Sequence, residues 1–182
     1  LTLSPTLTLS DEQFVQLCQC NPDVRLERTS AGDLVVMPPT GSDTGAYNTG
    51  INAQLWFWNQ QTQMGVVFDL STGFRLPNGV VRSPDAAWIQ RDRWDALSER
   101  DRQGFAPLCP DVVIELVSSS DDVQLLRAKM QEYLDNGARL GWLIHLSAQT
   151  ADIYRPERSP QSVQLPAQLS DDQILPGFAL SL

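Results

Sequence analysis

The chain has 182 residues, 42% of them hydrophobic and 19% charged, which is the balance of a folded domain with a real core, not of a disordered or fibrous chain. Its net charge of −9 argues against a general nucleic-acid coat protein, which would carry a basic footprint, but not against an enzyme whose divalent cation adds positive charge at the site. No apolar run approaches bilayer length, and the opening LTLSPTLTLS has neither a basic n-region nor a long apolar stretch, so the expected setting is cytoplasmic, with no membrane partner.

Residues 10–20 read as a short helix, with Ser10 as N-cap and Gln13 completing a capping box; Asn21-Pro22 ends it. Residues 25–29 and 33–37 read as a hairpin around Gly32. Pro38-Pro39 and the GSDTG segment form a flexible loop near any site. A long helix is predicted from about 44 to 63, with Ile51, Leu55 and Trp58 on one face and Trp56 and Phe57 widening the stripe. Residues 65–70 are a strand, and residues 74–76 and 80–82 a hairpin about Pro77-Asn78-Gly79. Residues 86–89 form another short strand. The charged stretch 91–105 is expected to be helical.

The strongest strand is 112–117. Asp121 or Asp122 then caps a helix from about 123 to 136, which Gly137 closes. Residues 140–146 and 152–154 are strands paired across a turn. The tail from 156 is Pro- and Gln-rich with short apolar pieces. The order implies an α/β (α+β) chain with a mixed central sheet flanked by helices, a single domain whose core covers about 10–155, with 156–182 as an extension.

Cys18 and Cys20 lie two apart on a helix and point different ways; with Cys109 distant, the three cysteines read as buried free thiols, and no zinc spacing occurs. His145, the only histidine, reads as a core or edge residue. No GxSxG elbow supports a serine hydrolase. Trp56, Trp58, Trp88 and Trp142 are expected in the core or at a subunit interface, and Trp94 at the surface. The arginines at 75, 82, 91, 93, 100 and 102 alternate with acids and read as a solvated, ion-paired surface.

Glu115 is out of place. It interrupts the run Val112-Val113-Ile114-Glu115-Leu116-Val117, and a carboxylate in an apolar strand is costly unless it is paired or holds a metal. Asp85 opens the preceding core strand, thirty residues earlier (115 − 85). Two carboxylates facing each other from adjacent strands suit Mg²⁺ or Mn²⁺; a structural salt bridge is the plain alternative. Of the 13 basic residues only Lys129 is lysine. On a helical wheel it falls beside the apolar arc of Val123, Leu126, Met130, Tyr133 and Leu134, so it either leans toward the sheet or snorkels at the helix boundary.

The ordered set Ser83-Pro84-Asp85, Pro110-Asp111-Val112-Val113-Ile114-Glu115-Leu116-Val117-Ser118, Lys129 with Tyr133 and Gly137, and Trp142-Leu143-Ile144 resembles the Uma2 family, first grouped as a domain of unknown function abundant in cyanobacteria. The hairpin near Glu27 and Gly32 with Met37-Pro38 extends the resemblance over roughly residues 10 to 155. The family is similar to the restriction-endonuclease-like PD-(D/E)XK superfamily. The resemblance implies a metal-dependent DNA endonuclease, with Asp85, Glu115 and the carbonyl of Leu116 on Mg²⁺ or Mn²⁺, Tyr133 in support, and a homodimer. In the superfamily a lysine two residues past the glutamate orients the attacking water. That place is Val117 here, and the resemblance implies that Lys129 has taken over the role. Glu27 is implied as a fourth member; an exposed hairpin carboxylate is the other reading. A catalytically inactive module of the same fold, binding nucleic acid or protein, remains the competing function.

Overall fold

The structure, a computed structural model, describes residues 2–119 and 121–182, the side chains of 2–7 excepted. In chain order it runs β1 (Thr2–Thr8), α1 (Asp11–Cys20), β2 (Arg25–Arg28), β3 (Asp33–Met37), α2 (Ser42–Thr62) and β4 (Gly65–Asp69). There follow β5 (Phe74–Arg75), β6 (Val81–Arg82), β7 (Ala86–Gln90), α3 (Arg91–Asp95), α4 (Glu99–Gln103), β8 (Val112–Leu116) and α5 (Val123–Asp135). The chain closes with β9 (Leu140–His145), a 3₁₀ turn (Leu146–Ala148), β10 (Thr150–Tyr154), β11 (Gln161–Gln164), β12 (Gln168–Ser170) and β13 (Ala179–Ser181).

Two main sheets result. A six-stranded sheet has the order β11-β10-β9-β8-β7-β4, antiparallel except for the parallel pair β8–β9, which α5 connects. A five-stranded antiparallel sheet has the order β1-β3-β2-β6-β5. The mixed central sheet is thus as expected. The second sheet is more than the two separate hairpins that the sequence suggests, because β2 pairs with β3 on one side and β6 on the other. That position buries Leu26, Glu27 and Arg28 together.

The six-stranded sheet is covered on both faces. Ile51, Leu55 and Trp58 of α2 pack with Trp88, Ile114 and Trp142 on one face. Met130 and Tyr133 of α5 pack with Ala87, Val113 and Leu143 on the other. Strand alternation therefore sorts β8: Val112, Ile114 and Leu116 face α2, while Val113, Glu115 and Val117 face α5. The tail beyond 155 adds Leu169, Leu175, Phe178 and Leu180 to the α2 side of the core.

Several local expectations change. The charged stretch 91–105 is two short helices, because Ser98 caps a new one by accepting from the Asp101 amide. Trp94 is half-buried, its ring 5.0 Å from that of Phe68, and not a surface residue. Trp56 and Phe57 are exposed, so the buried face of α2 is narrower than the sequence stripe. The three cysteines are free, but only Cys109 is buried; Cys18 is half-buried and Cys20 exposed. His145 lies at the half-buried end of β9.

Gly65 marks a place where the backbone has no room to give. A Cβ there would lie 2.3 Å from the Ile89 carbonyl oxygen and 2.4 Å from the Trp88 ring. The Asn59 amide clamps the same residue, bonding both Gly65 N–H and C=O at 3.0 Å. Gly65→Ala is expected to cost about 3 kcal/mol in denaturant unfolding, the upper end for overpacking. Gly141→Ala is expected to cost less, because the nearest obstacle is the flexible end of Met130.

Candidate active site

The face of the central sheet under α5 gathers the predicted residues. The β7–β8 register pairs Ala86 with Ile114 and Ala87 with Val113. One step further sets Asp85 opposite Glu115 and on the same face. From the second sheet, Glu27 of β2 points into the same space. From α5, Lys129 and Tyr133 reach down, one helical turn apart.

Lys129 is 8% exposed, which removes the snorkelling alternative. Its Nζ lies 2.8 Å from Glu27 Oε1 and 2.8 Å from Glu115 Oε1. The Tyr133 hydroxyl donates to the same Glu115 oxygen at 3.0 Å. Asp85 Oδ2 accepts from the Leu116 N–H at 2.9 Å, and its Oδ1 lies 3.8 Å from Arg25 Nη1. Glu27 is buried, not an exposed hairpin acid: besides Lys129 it accepts from the Ser83 N–H at 2.9 Å and pairs with Arg82 Nη1 at 3.0 Å.

Arg82 corrects the surface reading of the arginines. It is largely buried and bridges Glu27 to Glu132, its Nε 2.6 Å from the latter. Nothing in its local sequence distinguishes it from Arg91 or Arg100; the only hint is that it immediately precedes Ser83-Pro84-Asp85. Arg25, whose Nη2 donates to the Ser83 carbonyl at 3.1 Å, is also missing from the sequence prediction. Val117 does not enter the polar cluster. It packs with Val113, Tyr133 and Leu143.

The electrostatics separate the acids. Burial pushes the Glu115 carboxyl up to about 7; Lys129 opposes the shift, while Asp85 and Glu27 add to it. Burial likewise raises Asp85, partly offset by the Leu116 N–H and by Lys129. Burial acts on Glu27 too, but Lys129 and Arg82 outweigh it and hold Glu27 below its ordinary range. Burial works against the Lys129 charge, yet Glu115 and Glu27 raise its pKa, so it stays cationic. Tyr133 is raised by burial and by Glu115, which keeps its hydroxyl a donor.

Asp85, Glu115 and Leu116 line a cleft of about 110 Å³ with Arg25, Pro38, Gly41 and Thr44 among the other walls. The loop expected near the site is there, although Ser42 to Gly45 already belong to α2. Among the described residues no three His, Cys, Asp or Glu side chains converge as metal ligands. The set available to a cation is two carboxylates and main-chain oxygen.

Comparison with known proteins bears on the fold and the family. A crystal structure titled as "a putative nuclease belonging to DUF820" from Anabaena variabilis ATCC 29413 superposes with a TM-score of 0.80 at 18% identity, covering 95% of this chain and 94% of that one. At that identity the likeness shows the fold. No curated protein sequence matches the chain. Among the described residues no helix is long and apolar enough to cross a membrane. The sequence pattern of Uma2, described as "Putative restriction endonuclease", matches residues 11–182, and the chain therefore belongs to the Uma2 family.

Proposed function

We propose that this chain is a Mg²⁺- or Mn²⁺-dependent endonuclease that hydrolyses phosphodiester bonds in DNA, and that it acts as a homodimer. One observation carries the reading. The chain's only lysine is buried between Glu27 and Glu115, on the sheet face that also holds Asp85. Fold and family support a nuclease; the metal, the substrate and the residue roles are the proposal.

The donor set fits a hard cation. Tyr133 and Lys129 engage Glu115 Oε1 and the Leu116 N–H engages Asp85 Oδ2, so an ion would use Glu115 Oε2 and Asp85 Oδ1, the latter in competition with Arg25 Nη1 at 3.8 Å. Burial of two neighbouring acids, only partly compensated by Lys129 at Glu115, is a cost that a divalent cation offsets. Asp85, Glu115 and the Leu116 carbonyl would hold the ion, which when bound polarises a phosphate and lowers the pKa of a coordinated water. Lys129 supplies a fixed positive charge where negative charge develops on the phosphate oxygens, and orients the attacking water. Glu27 and Arg82 position Lys129, Glu27 by direct contact and Arg82 through Glu27. Tyr133 fixes the carboxylate of Glu115 by its hydrogen bond.

A second reading, a binding module without catalysis, is favoured by Val117 in place of the usual lysine and by the net charge of −9. A cleavage assay on single-stranded, nicked and duplex DNA with Mg²⁺ or Mn²⁺, run beside Glu115→Gln, separates the two. Cleavage lost in the variant supports the nuclease; no cleavage by either protein under any condition supports the module.

The raised Glu115 carboxyl adds a pH prediction. A cation must displace its proton, so affinity rises as pH rises through about 7. Mn²⁺ titrated calorimetrically is expected to bind about tenfold tighter at pH 8 than at pH 6, as loss of one proton requires. A flat profile would remove Glu115 from the ligand set.

A further inference from the structure

A larger cleft of about 620 Å³ lies between the outer side of α2 and the edge strand β4. Asn48, Asn52 and Trp56 stand four residues apart on its helix wall, one stripe of side chains; Val67 and Asp69 belong to its strand wall. Two of these side chains are unusual. Trp56 is 54% exposed, whereas the other four tryptophans are buried or half-buried. Asn48 is 4% exposed, and its side-chain oxygen, itself buried, has no hydrogen-bond partner among the described residues. Buried polar groups are rarely left so. The oxygen is occluded, so a ligand's donor reaches it only when the Asn48 amide turns toward the cleft.

The chemistry narrows the ligand. Among the described residues no Lys, Arg or His lines the cleft, so it is not made for phosphate. The Asp69 carboxylate points the same way. A flat, uncharged ring that stacks on indole and offers N–H donors at its edge satisfies every wall: that is a nucleobase. The cleft also adjoins the catalytic one. Asn52 Nδ2 donates to the main-chain carbonyl of Asp85 at 3.0 Å. Gly41 and Thr44, at the start of α2, border the catalytic cleft, while Gly45 and Asn48 border this one.

We infer that this cleft is a subsite for one unpaired nucleobase of the strand that passes the catalytic cleft, stacked on Trp56 with its edge toward Asn48. The inference rests on the nuclease reading above and extends it to a substrate with at least one unstacked base. Stacking on Trp56 would supply binding energy that needs no cation from a chain of net charge −9.

The test uses the full chain in EDTA, with fluorescence anisotropy of a labelled short single-stranded DNA of mixed sequence and of its fully abasic counterpart. Trp56→Ala is expected to weaken binding of the normal strand by about 5- to 150-fold, and Trp56→Phe to retain most of it. The abasic strand should bind weakly and equally to all three proteins. The inference is overturned if the wild type binds both strands alike, if it binds neither, or if Trp56→Ala binds the normal strand as tightly as wild type. Displacement of the strand by a neutral oligosaccharide such as maltopentaose overturns it too. Cleavage is scored separately. Full activity in Glu115→Gln would end the catalytic reading without touching base binding, and unchanged binding in Trp56→Ala would end the subsite without touching catalysis.

Discussion

Glu115→Gln is expected to remove metal-dependent DNA cleavage, by at least about 100-fold, while leaving the fold intact. The amide keeps the shape of the acid. Its oxygen can still accept from Tyr133 and Lys129, and Lys129 retains Glu27 at 2.8 Å. Burial raises the Glu115 pKa, so the ionised form is the unfavourable one in the folded protein. The stability it contributes is full below its unfolded value of 4.5 and is lost as pH rises toward about 7. Above that range Gln avoids the cost, so thermal unfolding at pH 8 should show the variant at least as stable as wild type. A variant that unfolds at pH 8 but not at pH 5 would show instead that Glu115 is a structural ion-pair partner. Unimpaired cleavage in a folded variant would remove it from the site.

Lys129→Met is expected to fail in both respects. It leaves two buried carboxylates facing each other without their shared cation, and breaking a buried pair of this kind costs about 3–5 kcal/mol. Cleavage should fall by at least about 100-fold even at a temperature where circular dichroism shows the variant folded. The two effects separate in the double variant. Adding Glu115→Gln to Lys129→Met removes one of the stranded charges, so the pair should cost less in unfolding than the sum of the singles, with no recovery of cleavage. Strict additivity would mean that the two residues do not interact in solution. Lys129→Arg is not expected to rescue activity, because a planar guanidinium does not reproduce a compact ammonium between two acids 2.8 Å away.

Much of the fold was legible because its signals are local. The Ser10 capping box forms as read, with Ser10 N–H to Gln13 Oε1 at 2.8 Å and Gln13 N–H to Ser10 Oγ at 3.3 Å. The apolar run of β8, the Asp122 cap of α5 and the period of α5 likewise depend on neighbours in sequence. Strands that exist only through their partners were not legible. β1 contains Pro5, which gives no ladder donor, and its pairing with β3 shifts register between Leu3 and Thr8; it is an edge strand that only β3 defines. β11, β12 and β13 are three or four residues each and carry no alternation strong enough to read alone.

The site divides along the same line. Sequence by itself determined the unusual residues: an acid within an apolar strand, an acid heading the strand before it, and a single lysine in a chain that otherwise uses arginine. These depend on residue type and on period, and both are written in the chain. Tertiary structure alone decided which of the open alternatives held. Glu27 is a buried partner because β2 is an interior strand; Lys129 turns inward because two acids from different sheets meet beneath α5; Arg82 leaves the surface because Glu27 and Glu132 flank it. The Coulomb energy of a charge depends on distances to groups 14 to 102 residues away along the chain (129 − 115 and 129 − 27), and only folding sets those distances.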